Sequence, residues 1–203
     1  MNKKELIFFL TRNNILKTKS IIEAFEKIDR KDFILKKYTN EAYNDYPLDI
    51  GSNQTISQPS TVAFMLELLS PKKGDKILDV GSGSGWTTAL LGYIVGSEGK
   101  VCGIELIPDL VLFGRANLEK YDFKNTKIYQ ATKDLGLKDK GPFDKILVSA
   151  SARDVPEELI KQLKVGGTMV IPIQDSIFRL FKKSRKKIEK EKIPGFVFVP
   201  LIY

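Results

Sequence analysis

The stretch Ile77-Leu78-Asp79-Val80-Gly81-Ser82-Gly83-Ser84-Gly85 constrains the fold of this chain more than any other. An apolar run of strand character ends in glycines at alternate positions, and helical apolar spacing resumes at Trp86. Glycine has no Cβ, so such a run can turn sharply from strand to helix and let a ligand approach the backbone. A glycine-made turn with no ligand fits the same residues. The dinucleotide spacing GxGxxG is absent, because its third glycine would fall on Trp86, and that bulk disfavours close approach of a pyrophosphate. Glu105 closes the next apolar strand, about 20 residues beyond the turn, where an α/β nucleotide site places the carboxylate that binds ribose. Capping the helix that opens at Pro108 is its alternative role. Asp79, at the end of the first strand, is expected to support the glycine turn and face the cationic end of a cofactor.

Around this turn the pattern alternates. Helical spacing covers Glu5–Leu10 and Ser20–Ile28, the latter with Ser20 as expected N-cap, so residues 1–45 read as a helical cap. Residues 46–60 carry Pro47, Gly51 and Pro59 and read as a loop with functional character. From 61 to 203 the expected order is helix Val62–Leu69, strand Lys76–Val80, helix Trp86–Val95, strand Lys100–Glu105, helix Pro108–Tyr121, strand Thr126–Gln130, strand Phe143–Ala150, helix Pro156–Leu163 and strand Thr168–Ile173. Two strand-like runs follow, Ser176–Phe181 and Phe196–Leu201. Alternating strands and helices imply parallel βαβ crossovers, and 203 residues suit one domain.

Composition narrows the chemistry. The chain has no histidine, which removes histidine-based hydrolase triads and the side chain most used for zinc and for proton transfer near neutral pH. No metal is expected. The lone Cys102 falls in a strand and reads as an inert core thiol. The net charge is +8, and Lys182–Lys192 holds seven Lys or Arg against two Glu, so the excess is concentrated there and reads as a solvated hairpin of mixed charge. No apolar run is long enough for a membrane span and no signal-peptide pattern is seen, so the expectation is a cytoplasmic protein without a membrane partner.

Gly51-Ser52-Asn53-Gln54-Thr55-Ile56-Ser57-Gln58-Pro59 resembles the GxxQTISxP signature of the protein-L-isoaspartate O-methyltransferase family. The similarity continues in family order through the glycine turn, Ala150-Ser151-Ala152, Val155-Pro156, Leu163–Gly167, Val170-Ile171-Pro172 and Phe198-Val199-Pro200-Leu201. The resemblance implies a Rossmann-like α/β sheet with an N-terminal helical cap. It also implies S-adenosylmethionine as cofactor, with transfer of its methyl group to the free α-carboxylate of L-isoaspartyl residues in damaged proteins or peptides. Ser57 matches the family's active-site serine. Gln54, Thr55, Ile56, Asp79, Gly81, Ser82, Gly83, Gly85, Glu105 and Thr132 are the implied cofactor-binding positions. For Ser57, a serine turn or capping of the Val62 helix is the alternative role.

Two departures stand out. Where the family has Gly-Asp-Gly after the third strand, this chain has Ala131-Thr132-Lys133, so Thr132 replaces the carboxylate that accepts from the adenine amino group. Where many members have His after the signature proline, this chain has Ser60. Alternatives are a related methyltransferase acting on another carboxylate, a small molecule or nucleic acid, and a catalytically silent binding module. Nucleic acid is not the expected partner, and the expected state is a monomer.

Overall fold

The computed structural model describes residues 1–202. Helix α1 (Lys3–Arg12) opens with a reciprocal capping box between Asn2 and Glu5, and α2 (Lys19–Lys27) buries Ile21, Ala24 and Phe25 on one face. The N-cap of α2 is Thr18 rather than Ser20. Glu67 explains the shift: it accepts from the backbone N–H groups of Lys17 and Thr18 and from the Thr18 hydroxyl, each at 2.7 Å, which fixes the chain two residues earlier.

Residues 46–60 are not a plain loop. They contain a two-stranded antiparallel hairpin, β1 (Leu48–Gly51) and β2 (Gln54–Ile56). Its connecting residues Ser52 and Asn53 both have positive φ, 54° and 57°, the combination required by the tight turn that matches strand twist. Helix α3 (Pro59–Leu69) follows, with proline in its first turn and Gln58 as N-cap, so Ser57 does not cap it. The carboxylate of Asp45 instead takes the Ser60 N–H at 2.8 Å, placing a negative charge at the helix N-terminus.

The remaining elements are β3 (Lys76–Val80), α4 (Trp86–Val95), β4 (Lys100–Glu105), α5 (Pro108–Leu118), β5 (Thr126–Gln130), β6 (Phe143–Val148), α6 (Glu157–Gln162), β7 (Leu163–Ile173), β8 (Ser176–Lys182) and β9 (Ile188–Pro194). They form a seven-stranded sheet of order β5-β4-β3-β6-β7-β8-β9. The first five of these strands are parallel, and β8 and β9 are antiparallel additions. This is the Rossmann-like architecture expected from the alternating pattern. The chain winds outward from β3 through β4 to β5, then returns to place β6 on the other side of β3. A crevice opens at such a reversal, at the carboxyl ends of the strands. The helical cap closes over α4, with Phe25 meeting Trp86 edge to face at 5.5 Å. Cys102 is fully buried in β4, where desolvation pushes its thiol pKa up, as an inert core thiol requires.

The last strand differs from expectation. Ile188–Pro194, inside the basic segment, pairs with β8, whereas Phe196–Leu201 leaves the sheet. Charge does not prevent pairing at an edge, where one face and one side are solvated. Lys183 meets Glu189 at 2.6 Å and Arg179 meets Glu191 at 3.6 Å across this hairpin. Lys182 is not in the solvated part: it is buried and donates to the carbonyls of Ile160 and Leu163 at the end of α6. The Phe196–Leu201 run turns back to the crevice. Phe196 stacks on Phe64 of α3 at 5.4 Å, and Ser151 exchanges backbone hydrogen bonds of 2.8 Å with Val199 and Leu201. Among the described residues, no helix is long and apolar enough to cross a membrane.

Candidate active site

One open cleft of about 1030 Å³ lies at the carboxyl ends of β3, β4 and β6. The glycine turn forms its floor. Gly81, Gly83 and Gly85 all have positive φ, 74°, 50° and 88°, which L side chains rarely adopt. At Gly83 space is short as well, since a Cβ would stand 3.3 Å from the Ile50 Cδ1 of the hairpin. Gly81, Ser82 and Gly83 line the cleft. Gly85 does not. It faces α5, where a Cβ would meet the Gly114 carbonyl oxygen at 3.1 Å, so its smallness lets α4 start against α5.

Glu105 is nearly buried, and both its oxygens are engaged by backbone. Oε2 accepts from the Gly83 N–H and Oε1 from the Ile107 N–H, each at 2.9 Å. The carboxylate therefore ties the turn after β3 to the turn after β4, and a carboxylate oxygen with one such bond keeps a further lone pair for a ligand hydroxyl. It lines the cleft. Capping alone would use one oxygen on its own helix; the bond to Gly83 goes beyond that role.

Asp79 stands behind the cleft rather than in its wall. It is completely buried, its Oδ2 accepts from the hydroxyls of Thr87 and Thr88 at 2.7 and 2.6 Å, and it thereby braces the first turn of α4. Burial raises its pKa to about 6 from an ordinary 3.8, against the lowering effect of the two hydroxyl bonds.

Gln54, Thr55, Ile56 and Ser57 reach the cleft from the hairpin, opposite the glycine floor. Thr132 lines the cleft too, and so does Asp134, a residue outside the glycine turn and the Gln54–Ser57 motif. Asp134 donates its backbone N–H to the Thr132 hydroxyl at 3.4 Å and pairs with Lys138 at 3.2 Å. A carboxylate is thus present at this rim, two residues beyond its family position. Ser149, Ala150, Val199, Pro200 and Leu201 complete the wall, brought in by sheet order and by the returning C-terminal run. Among the described residues, no group of His, Cys, Asp or Glu is arranged to hold a metal.

The family model for protein-L-isoaspartate(D-aspartate) O-methyltransferase (PCMT) matches residues 1–203, the whole chain. The chain belongs to the PCMT family. A protein-L-isoaspartate O-methyltransferase of Ignicoccus hospitalis is 40% identical over 205 residues, covering 98% of this chain and 97% of the relative. Protein-L-isoaspartate O-methyltransferase 2 of Archaeoglobus fulgidus is 41% identical over 202 residues, covering 98% and 92%. A crystal structure from Plasmodium falciparum, described as a PCMT in complex with S-adenosyl-L-homocysteine, superposes with a TM-score of 0.88 at 29% identity, over 100% of this chain and 99% of that one.

The cleft of this PCMT-family chain fits the family's cofactor. Two polar atoms of residues that line the cleft are buried without a partner, Ser82 Oγ and Trp86 Nε1. Buried polar atoms are nearly always bonded, so an unpaired group of them beside an open cleft marks a place where a ligand completes the set.

Proposed function

We propose that the chain transfers a methyl group from S-adenosylmethionine to the free α-carboxylate of L-isoaspartyl residues in proteins and peptides. The observation that carries this reading is that one cleft collects the glycine floor, Glu105, the Gln54–Ser57 segment and the Val199–Leu201 run. Gly81, Ser82 and Gly83 hold the amino acid part of the cofactor, Glu105 accepts from the ribose hydroxyls, and Thr132 with Asp134 borders the adenine. Asp79 and Gly85 act one layer back, by shaping α4. Bound there, the cofactor supplies an electrophilic methyl group on a positively charged sulfur.

The chain's own task is then alignment and drying. A free α-carboxylate has a pKa of about 3.3 to 3.7 and is ionised at neutral pH, so the nucleophile needs no general base, and a chain without histidine can do this chemistry. Ser57, whose side chain forms no hydrogen bond to another described residue, offers its hydroxyl to the carboxylate or the peptide backbone of the substrate. Ile56, Val199 and Leu201 give the substrate side of the cleft apolar walls that exclude water and strengthen each remaining polar contact.

The test is methyl transfer from labelled cofactor to an isoaspartyl peptide beside its normal aspartyl twin. Base-labile label on the first alone is the expected result. Label on neither peptide, with cofactor binding established by calorimetry, refutes the substrate assignment.

A further inference from the structure

Arg30 sits at the exit of α2 and is almost wholly buried, an unusual place for an arginine. No carboxylate forms an ion pair with it among the described residues. Its guanidinium donates instead to four backbone carbonyls. Nη1 donates to Ala42 at 2.8 Å and Asn44 at 3.4 Å, and Nη2 to Tyr46 at 3.0 Å and Ser57 at 3.1 Å. Tyr46 and Ser57 flank the β1–β2 hairpin, so a single nitrogen clasps the base of the hairpin that carries Gln54–Ile56. The same guanidinium lies over the ring of Trp86, 5.5 Å from its centroid, and that ring is part of the cleft wall. Asp45 is near enough to favour the charge, but its oxygens are committed to Gln58 and Ser60. Burial lowers the Arg30 pKa to about 10, which leaves the group cationic at neutral pH.

We infer that Arg30 is a positioning residue for methyl transfer: it sets the hairpin base, and with it Ser57, against the glycine floor. This rests on the function proposed above. Filling space would not need a cation, because burying one is costly unless it is bonded, and here the two terminal nitrogens are bonded while the buried Nε finds no partner. Four neutral acceptors, three within residues 42–46 and one at Ser57, use the planar fork of arginine, which a lysine ammonium cannot reproduce.

The experiment compares wild type, Arg30→Met, Arg30→Lys, Ser57→Ala and the Arg30→Met/Ser57→Ala double variant in three assays. These are steady-state methylation of an isoaspartyl peptide, calorimetry with S-adenosyl-L-homocysteine, and hydrogen exchange of residues 42–58. Arg30→Met is expected to lower kcat by about 30- to 300-fold with S-adenosyl-L-homocysteine affinity changed less than about fivefold, and Arg30→Lys to regain part of the loss. In the Ser57→Ala background the same change should cost less than about threefold, since both act on one alignment. Exchange in 42–58 should rise, with β3 and β4 unchanged. Equal losses in both backgrounds, or wild-type exchange in 42–58, overturn the inference. Should Arg30→Met fail to fold, Arg30→Lys carries the test, and wild-type kcat and exchange in that variant overturn it equally. If wild type methylates neither peptide, the function proposed above falls, while exchange and product affinity still decide the role of Arg30.

Discussion

Glu105→Gln separates two jobs that one carboxylate performs. In the folded chain its two oxygens accept the Gly83 and Ile107 N–H groups at 2.9 Å each. An amide has one oxygen, so whichever way it is turned, an NH2 group faces a backbone N–H. One buried donor is left unpaired, at about 1 to 3 kcal/mol. For a chain of this size each kcal/mol lowers Tm by roughly 2 to 4 °C, so a fall of about 2 to 12 °C is expected in calorimetric melting. Ribose hydroxyls bonded to a charged acceptor would contribute about 1.5 to 3 kcal/mol more than the lost pairing, which is about 10- to 150-fold in Kd for S-adenosyl-L-homocysteine. S-adenosylmethionine should weaken by the same factor, because the ribose is common to both. Titration calorimetry on folded protein measures this directly. Loss of Tm with unchanged affinity would leave Glu105 as a tie between two turns and refute its ribose role. An effect on turnover alone would refute it as well.

Ser57→Ala should reduce methylation of an isoaspartyl peptide by about ten- to a hundredfold while product affinity stays within a few-fold, read by kinetics and calorimetry; unaffected turnover removes the alignment role. Asp79, with a folded pKa of about 6 against an ordinary 3.8, binds its proton more tightly when folded, so its ionisation destabilises the fold as pH rises through 6. Denaturant titrations should therefore show wild type gaining about 2 to 3 kcal/mol relative to Asp79→Asn between pH 7 and pH 4; a pH-independent difference contradicts the raised pKa. At the rim, Asp134→Asn should weaken S-adenosyl-L-homocysteine by about 3- to 10-fold and Thr132→Val by less than about threefold, as a charged acceptor is roughly twice as strong as a neutral one. The reverse order would put Thr132 alone at the adenine edge.

The parts of the site that could be read in the sequence are those whose geometry is local. A strand that must reverse at glycines announces Gly81 and Gly83, and Glu105 follows at a separation set by one crossover helix. The Gln54–Ser57 motif is legible because its residues are consecutive. Ser149, Ala150 and Val199–Leu201 reach the cleft only because β6 returns beside β3 and the C-terminal run folds back to Ser151, and the residue pattern encodes neither by itself. Arg30 was invisible for another reason: arginine is ordinarily a surface residue, and its value depends on four carbonyls that converge only in the fold. The misplaced last strand is instructive too. Phe196–Leu201 has the more apolar composition, but the charged Ile188–Pro194 run follows β8 directly and pairs across a short turn, so proximity outweighed hydrophobicity.

Trp86 is the sole tryptophan of the chain, and it stands where the helical cap, the glycine turn and the cleft meet. All indole emission therefore originates from one point. With the ring 2% exposed and a guanidinium above it, the native spectrum should lie at short wavelength and report a single environment. The molecule carries its own optical gauge: occupancy of the cleft, release of the cap and global unfolding can each be followed by light, without label or added probe.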